Sequence, residues 1–171
     1  PVLKSLDMPK DQCNISMIPI LKAYKYRLEP NSSQRMAFEQ YAGCCRFVWN
    51  WALDQRQQYY AATGKSMSWT EQDAQLKHLK KQFSFLGEAP AQSLQQVVKD
   101  LDRAYKVFFK EGRGFPRFKK KGIYDSFRVP QGFRVVGNYI PLPKAGEVKF
   151  RLSRELKGIV KSVTVSRRGA H

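Results

Sequence analysis

EGRGFPRFKKKG, Glu111 to Gly122, is the stretch at which the chain changes character. Before it, apolar residues recur every three or four positions. After it, they alternate or come in short runs broken by Gly and Pro. The segment just upstream carries the clearest period. Leu94, Val97, Val98, Leu101, Ala104, Tyr105, Phe108 and Phe109 make one stripe, with Gln95, Gln96, Lys99, Arg103, Lys106 and Lys110 opposite. This predicts an amphipathic helix from about Ala91. Further upstream, Ser68-Trp69-Thr70-Glu71 is a capping box that opens a helix to about Phe83, with Leu76, Leu79 and Phe83 inward. Asn31-Ser32-Ser33-Gln34 opens a longer helix, about Ser33 to Ala62, which Gly64 closes. Its apolar stripe (Ala37, Tyr41, Cys44, Cys45, Val48, Ala52) is widened by Phe38, Phe47, Trp49 and Trp51. Only a narrow polar line remains, Arg46, Asn50, Asp54 and Gln57. A helix so apolar is expected to be gripped on several sides, with Gly43 allowing a close approach or a bend.

Downstream, Ser126–Val129, Phe133–Val136, Tyr139–Leu142, Val148–Leu152 and Ile159–Val165 read as short strands. One more precedes the helices: Ile20 to Leu28 alternates, with Tyr24, Tyr26 and Leu28 on one face and Lys25 and Arg27 on the other. The expected fold is α+β: a small antiparallel barrel or sheet into which the first strand returns, with three helices inserted. Residues 1–16 show no period and read as a leader, disordered or foreign to the natural start. Residues 17–32 hold the first strand, 33–112 the helical lobe, and 113–171 the basic loop and remaining strands.

Charge bounds the function. Among 171 residues, 31 Lys and Arg face 14 Asp and Glu, a net charge of +17. Self-repulsion on that scale opposes compaction, and a polyanion relieves it. With 42% hydrophobic and 13% aromatic residues the chain is not disordered. Cys44 and Cys45 are adjacent and Cys13 stands apart, so there is neither a disulfide framework nor a C-x-x-C pair. His78 and His171 alone leave a zinc site short of ligands. These features fit a reduced intracellular protein without structural metal. No run approaches the roughly eighteen apolar residues of a membrane span. Basic amphipathic contact with an anionic membrane is disfavoured, since the cations sit among turns and strands.

Catalytic constellations are scarce. His78 reads as a surface residue, and Asp54, Asp73, Asp100 and Asp102 lie on helices rich in Lys and Arg, where intrahelical pairing such as Asp102 with Lys106 is the default. On its own residues the chain does not read as an enzyme. The segment Arg113 to Lys121 offers cations, close-approach glycines, and Phe115 and Phe118, which either stack on bases or anchor the loop. On the helix from Ala91, Gln92, Gln95, Gln96, Lys99 and Arg103 are either base-edge and phosphate contacts or ordinary helix surface.

Six blocks in order then resemble one family: RLEPNSSQ (Arg27–Gln34), CCRFVWNWAL (Cys44–Leu53), LDRAYKVFFK (Leu101–Lys110), GFPRFKKK (Gly114–Lys121), IPLPKAGEVKFR (Ile140–Arg151) and IVKSVTVSRR (Ile159–Arg168). They are similar to the N-terminal part of TnpB (OrfB) proteins, encoded by insertion sequences and related to type V CRISPR effectors. The resemblance implies a wedge-type barrel and a helical recognition lobe that grip a guide RNA from the transposon end and read a short motif beside a double-stranded DNA target. It implies motif readers at Trp69, Asp73, Lys77, Gln95 and near Gln131. It implies RNA and phosphate contacts at Lys25, Arg27, Arg46, Arg113, Arg117, Lys119, Lys120, Lys121 and Arg128, beside Lys99 and Arg103 from the helix reading. The family's RuvC-type nuclease with its divalent metal, and its zinc ribbon, would follow this segment, so no cofactor is expected here and the chain reads as truncated before the nuclease. The implied setting is the prokaryotic cytoplasm, at the nucleoid. The alternatives are a DNA-binding transposase accessory or regulator working without RNA, a full nuclease lacking its catalytic half here, and a structural RNA-binding protein.

Overall fold

The computed structural model describes residues 22–123 and 125–167. The expected leader, Cys13 and the first residues of the predicted strand lie outside them. Strand β1 (Arg27–Glu29) leads into helix α1 (Ser32–Thr63), then α2 (Trp69–Gln82), a 3₁₀ turn (Ser84–Gly87) and α3 (Ala91–Glu111). Strands β2 (Ser126–Val129), β3 (Tyr139–Leu142), β4 (Gly146–Arg151) and β5 (Val163–Ser166) follow.

The helix boundaries are where the capping chemistry puts them. Asn31 Oδ1 accepts from Gln34 N at 2.8 Å and Gln34 Oε1 accepts from Asn31 N at 3.1 Å, a reciprocal box. Ser68 and Glu71 repeat the arrangement on α2. Gly64 and Gly112 end α1 and α3 at φ 68° and 62°, the left-handed region where a Cβ is costly. Gly43 does neither thing expected of it. The 32-residue helix runs through it unbroken, and a Cβ there would meet only the Arg46 guanidinium at 3.8 Å.

The first strand does return, since β1 pairs antiparallel with β4 (Leu28 opposite Phe150) and β3 pairs on the other side, giving the order β1-β4-β3. A separate ladder joins β2 to β5, with Phe127 opposite Val165. Neither sheet closes, so the barrel is corrected to two open antiparallel sheets. Closure needs paired edges, and the edge strand β3 carries Pro141, which has no N–H to offer a further strand. β1 is also shorter than its alternation suggested, because β4 ends at Arg151 and leaves residues before Arg27 without a partner backbone. The alternation itself persists: Tyr24, Tyr26 and Leu28 are half-buried while Lys25 and Arg27 are exposed. Phe133–Val136 forms no strand. Gly137, at φ 58°, turns the chain so that Val136 bonds only to Tyr139.

One apolar core joins the inner faces of both sheets (Phe127, Val129, Ile140, Val148, Phe150, Val165) to Tyr41, Cys44, Cys45 and Val48 of α1 and to α2 and α3. Gln34 Nε2 ties the start of α1 to β4 by donating to Glu147 O at 2.8 Å. A smaller cluster of Ala52, Leu53 and Leu101 sits between α1 and α3, with Trp49, Trp51 and Tyr105 packed on it. The four aromatics that widened the α1 stripe are thus all half-buried packing groups. Beside this cluster lies a polar knot absent from the sequence reading. Arg56, 6% exposed, donates from Nε to Gln72 Oε1 at 2.6 Å and from a terminal nitrogen to Asp102 Oδ1 at 3.1 Å. Gln72, fully buried, also donates to Ala52 O at 2.8 Å. One guanidinium thereby joins all three helices. Asp102 also takes its expected intrahelical partner, Lys106, at 2.8 Å.

The stripe on α3 is buried only as far as Leu101. Ala104, Tyr105 and Phe108 are half-exposed, and Phe109 is 72% exposed, which corrects its inward assignment. Phe83 likewise packs against Phe47 but remains 38% exposed. Among the described residues no helix is long and apolar enough to cross a membrane.

Candidate nucleic-acid interface

The basic segment after α3 is held in a defined path. Gly112 reverses the chain, and Phe115 packs edge-on against Tyr105 and Phe108 at 5.4 and 5.2 Å between ring centroids, with Pro116 buried beside it. Phe115, though 42% exposed, thereby anchors the loop through its ring contacts, whereas Phe118, 50% exposed, has no such aromatic partner among the described residues. The loop then runs along the polar line of α1. Trp49 Nε1 donates to Arg117 O at 2.9 Å. Asn50 accepts from Lys119 N at 2.8 Å and donates to Lys119 O at 3.0 Å, so one side-chain amide copies a strand partner. Arg46 pairs with Asp125 at 2.5 Å, and Asp125 also accepts from Gly122 N at 3.1 Å. The line Arg46–Asn50 is thus a fastening, which is why a mostly apolar helix keeps it.

Lys119 is an exposed residue whose ammonium end is drawn against α1. Its ammonium lies 4.0 Å from the centroid of the Trp49 ring, a cation–π contact. Burial there pulls its pKa below the ordinary lysine value, against the opposing influence of Cys45 and Asp100. Its neighbours Arg117, Lys120 and Lys121 are exposed and have no carboxylate within 4 Å among the described residues. Asn50→Ala should therefore loosen the loop without unfolding the core. Each of the two lost bonds contributes about 1 kcal/mol, and we expect faster tryptic cleavage at Arg117 to Lys121 with a melting temperature lower by no more than about 4–8 °C. Unchanged cleavage would remove the fastening role.

A second group forms where α2 crosses α3. Gln95 Nε2 donates to Asp73 Oδ2 at 3.4 Å, and Lys99 Nζ sits 4.9 Å from the Trp69 ring centroid. The structure thereby gathers Trp69, Asp73, Gln95 and Lys99, residues separated by up to thirty positions, into one cluster. Asp73 Oδ1 is buried and has no hydrogen-bond partner among the described residues. Lys77 is exposed one turn further along α2. Gln131 lies exposed in the loop after β2, and among the described residues no side-chain hydrogen bond joins it to this cluster.

The remaining cations divide. Arg128 pairs with Asp100 at 3.2 Å and Arg113 with Glu111 at 3.1 Å, so both are partly neutralised, as is Arg46. Lys25, Arg27 and Arg103 are exposed without such a partner among the described residues. Trp49, Asn50 and Asp125 were missed as loop-holding residues. The only signal was Asn50's place on the polar line of α1, whose partner could not be known; Trp49 read as part of the apolar stripe and Asp125 gave no signal.

Comparison with known proteins follows this geometry. Residues 17–65 match the family model for the OrfB helix-turn-helix domain. The described part of that range is β1 and the single unbroken helix α1, not two helices about a turn. The chain is 41% identical over 150 residues to a protein of Escherichia coli K12 named "Putative RNA-guided DNA endonuclease InsQ", an alignment covering 85% of this chain and 37% of that protein. It is 30% identical over 155 residues to a "Putative RNA-guided DNA endonuclease" of Streptomyces pristinaespiralis, covering 88% and 39% respectively. The chain spans less than two-fifths of the length of these relatives.

Proposed function

From the chain's place as an N-terminal region of the OrfB (TnpB) proteins, we propose that it is their nucleic-acid-binding module, holding a guide RNA and reading a short motif in duplex DNA. The observation that carries this reading is the cluster of Trp69, Asp73, Gln95 and Lys99 at the α2–α3 crossing. An amide poised by a carboxylate, beside a cation and an indole, suits contact with base edges and an adjacent phosphate. Base pairing with a guide supplies long-range specificity, so a protein of this kind need read only a few bases plus backbone shape. The fastened loop, with Arg117, Lys120 and Lys121 outward, suits phosphate contact.

The relatives are named as endonucleases, whereas the function assigned to this chain is binding. Among the described residues no group of three or more His, Cys, Asp or Glu could hold a metal ion. Cys44 and Cys45 make poor zinc ligands, since metal binding needs thiolates and burial pushes the Cys45 thiol up to about 12.

Gln95→Ala tests the reading. It should cost about 1–3 kcal/mol of discrimination at one base position and leave affinity for unrelated duplexes unchanged. Anisotropy titrations over a panel of single-base duplex variants measure this, and a uniform loss over all sequences would reassign Gln95 to the backbone. A discrete RNA copurifying through a high-salt wash supports the guide-bound form; its absence favours a regulator that binds DNA alone.

A further inference from the structure

We propose that Phe109 is a stacking platform for an unpaired nucleobase, so that the C-terminal end of α3 holds a single-stranded stretch of nucleic acid. The inference rests on the nucleic-acid-binding reading above and adds a site to it. Phe109 belongs to a helix stripe that should be buried, yet its side chain is 72% exposed. Its neighbours hold it in place. Tyr105, one turn back, lies nearly parallel to it at 21° with centroids 6.3 Å apart, and Phe108 meets it at 5.0 Å and 64°. Phe115 closes against Tyr105 and Phe108 from the returning loop, so the rings under Phe109 are packed on both sides. The exposed ring is thus pre-placed, and a base can meet it at small entropic cost.

The rim decides the occupant. Lys106, three residues back on α3, and Lys110, the next residue, flank the exposed edge of the stripe at Phe109. Lys106 engages Asp102, leaving Lys110 without a carboxylate within 4 Å among the described residues. An apolar peptide gains nothing from such a border, whereas a strand whose phosphates flank an unpaired base satisfies ring and cations together. A base paired inside a duplex cannot offer its face, so the platform favours single strands.

The test compares wild type, Phe109→Ala and Phe109→Trp on an oligoadenosine strand and on an abasic strand of equal length, in RNA and DNA versions. Phe109→Ala should weaken binding to the base-bearing strands by about 5- to 100-fold, the range one base–aromatic stack supplies. The slope of log affinity against log salt should stay as in wild type, because no charge is removed. Phe109→Trp should retain binding, and abasic strands should not distinguish the three proteins. Melting temperatures within a few degrees of wild type confirm that an exposed ring was changed. Equal binding by Phe109→Ala on the base-bearing strand overturns the platform and leaves the patch to a polypeptide partner. Equal loss on both strands, or a loss confined to ribose, overturns stacking too. If wild type binds neither strand in a salt-dependent way, the broader reading fails instead.

Discussion

Raising salt from about 50 to 200 mM should weaken nucleic-acid binding by roughly 10³–10⁵-fold, the loss expected when ~6–10 phosphates are neutralised. The structure names the cations free to do it. Lys25, Arg27, Arg103, Arg117, Lys120 and Lys121 are exposed and have no carboxylate within 4 Å among the described residues. Arg46, Arg113 and Arg128 already have acid partners, so a phosphate must compete for them. Lys119 is exposed too and has no carboxylate within 4 Å among the described residues, though its ammonium already faces the Trp49 ring. Removing Lys120 or Lys121 should therefore lower the salt slope by about one each, uniformly across sequences, whereas Arg128→Ala should lower it by less. A titration that is flat in salt would reject the electrostatic reading outright.

Arg56→Ala should weaken the helical lobe markedly. It strips Gln72 and Asp102 of their shared partner inside the three-helix lobe. Asp102 keeps Lys106, so the buried acceptor left without a partner is Gln72 Oε1, at about 1–3 kcal/mol. For a chain of this length that is a fall of about 2–12 °C in melting temperature, at about 2–4 °C per kcal/mol. Arg56→Met combined with Gln72→Leu and Asp102→Leu should recover most of it, because an apolar replacement of a whole buried network is often neutral. Calorimetry on the single and triple variants decides. A single variant within about a degree of wild type would show that the knot is not what joins the helices.

Much of the fold was legible because local chemistry sufficed for it. The capping boxes at Asn31 and Ser68, the αL glycines 64 and 112 and the apolar stripe of α3 each specify a boundary or a face within a few residues. The β2 and β3 segments were equally plain. The site was half legible. Sequence placed Trp69, Asp73 and Gln95 on two helices, but their meeting depends on how α2 crosses α3. Phe115 carried two readings, anchor or stacking ring, and only its contacts with Tyr105 and Phe108 chose between them.

Sequence alone determined the three helices and the surplus of positive charge, since period, caps and composition act over short distances or over none. Tertiary structure decided what depends on a distant partner. β1 is three residues long because β4 ends at Arg151, and the sheets stay open because Pro141 lies on an edge. Lys119 lays its ammonium on the Trp49 ring because Asn50 fixes its backbone there, and Phe109 stays 72% exposed because Phe115 packs on Tyr105 and Phe108 rather than on it. Which cations remain for phosphate is likewise set by where the few carboxylates come to rest.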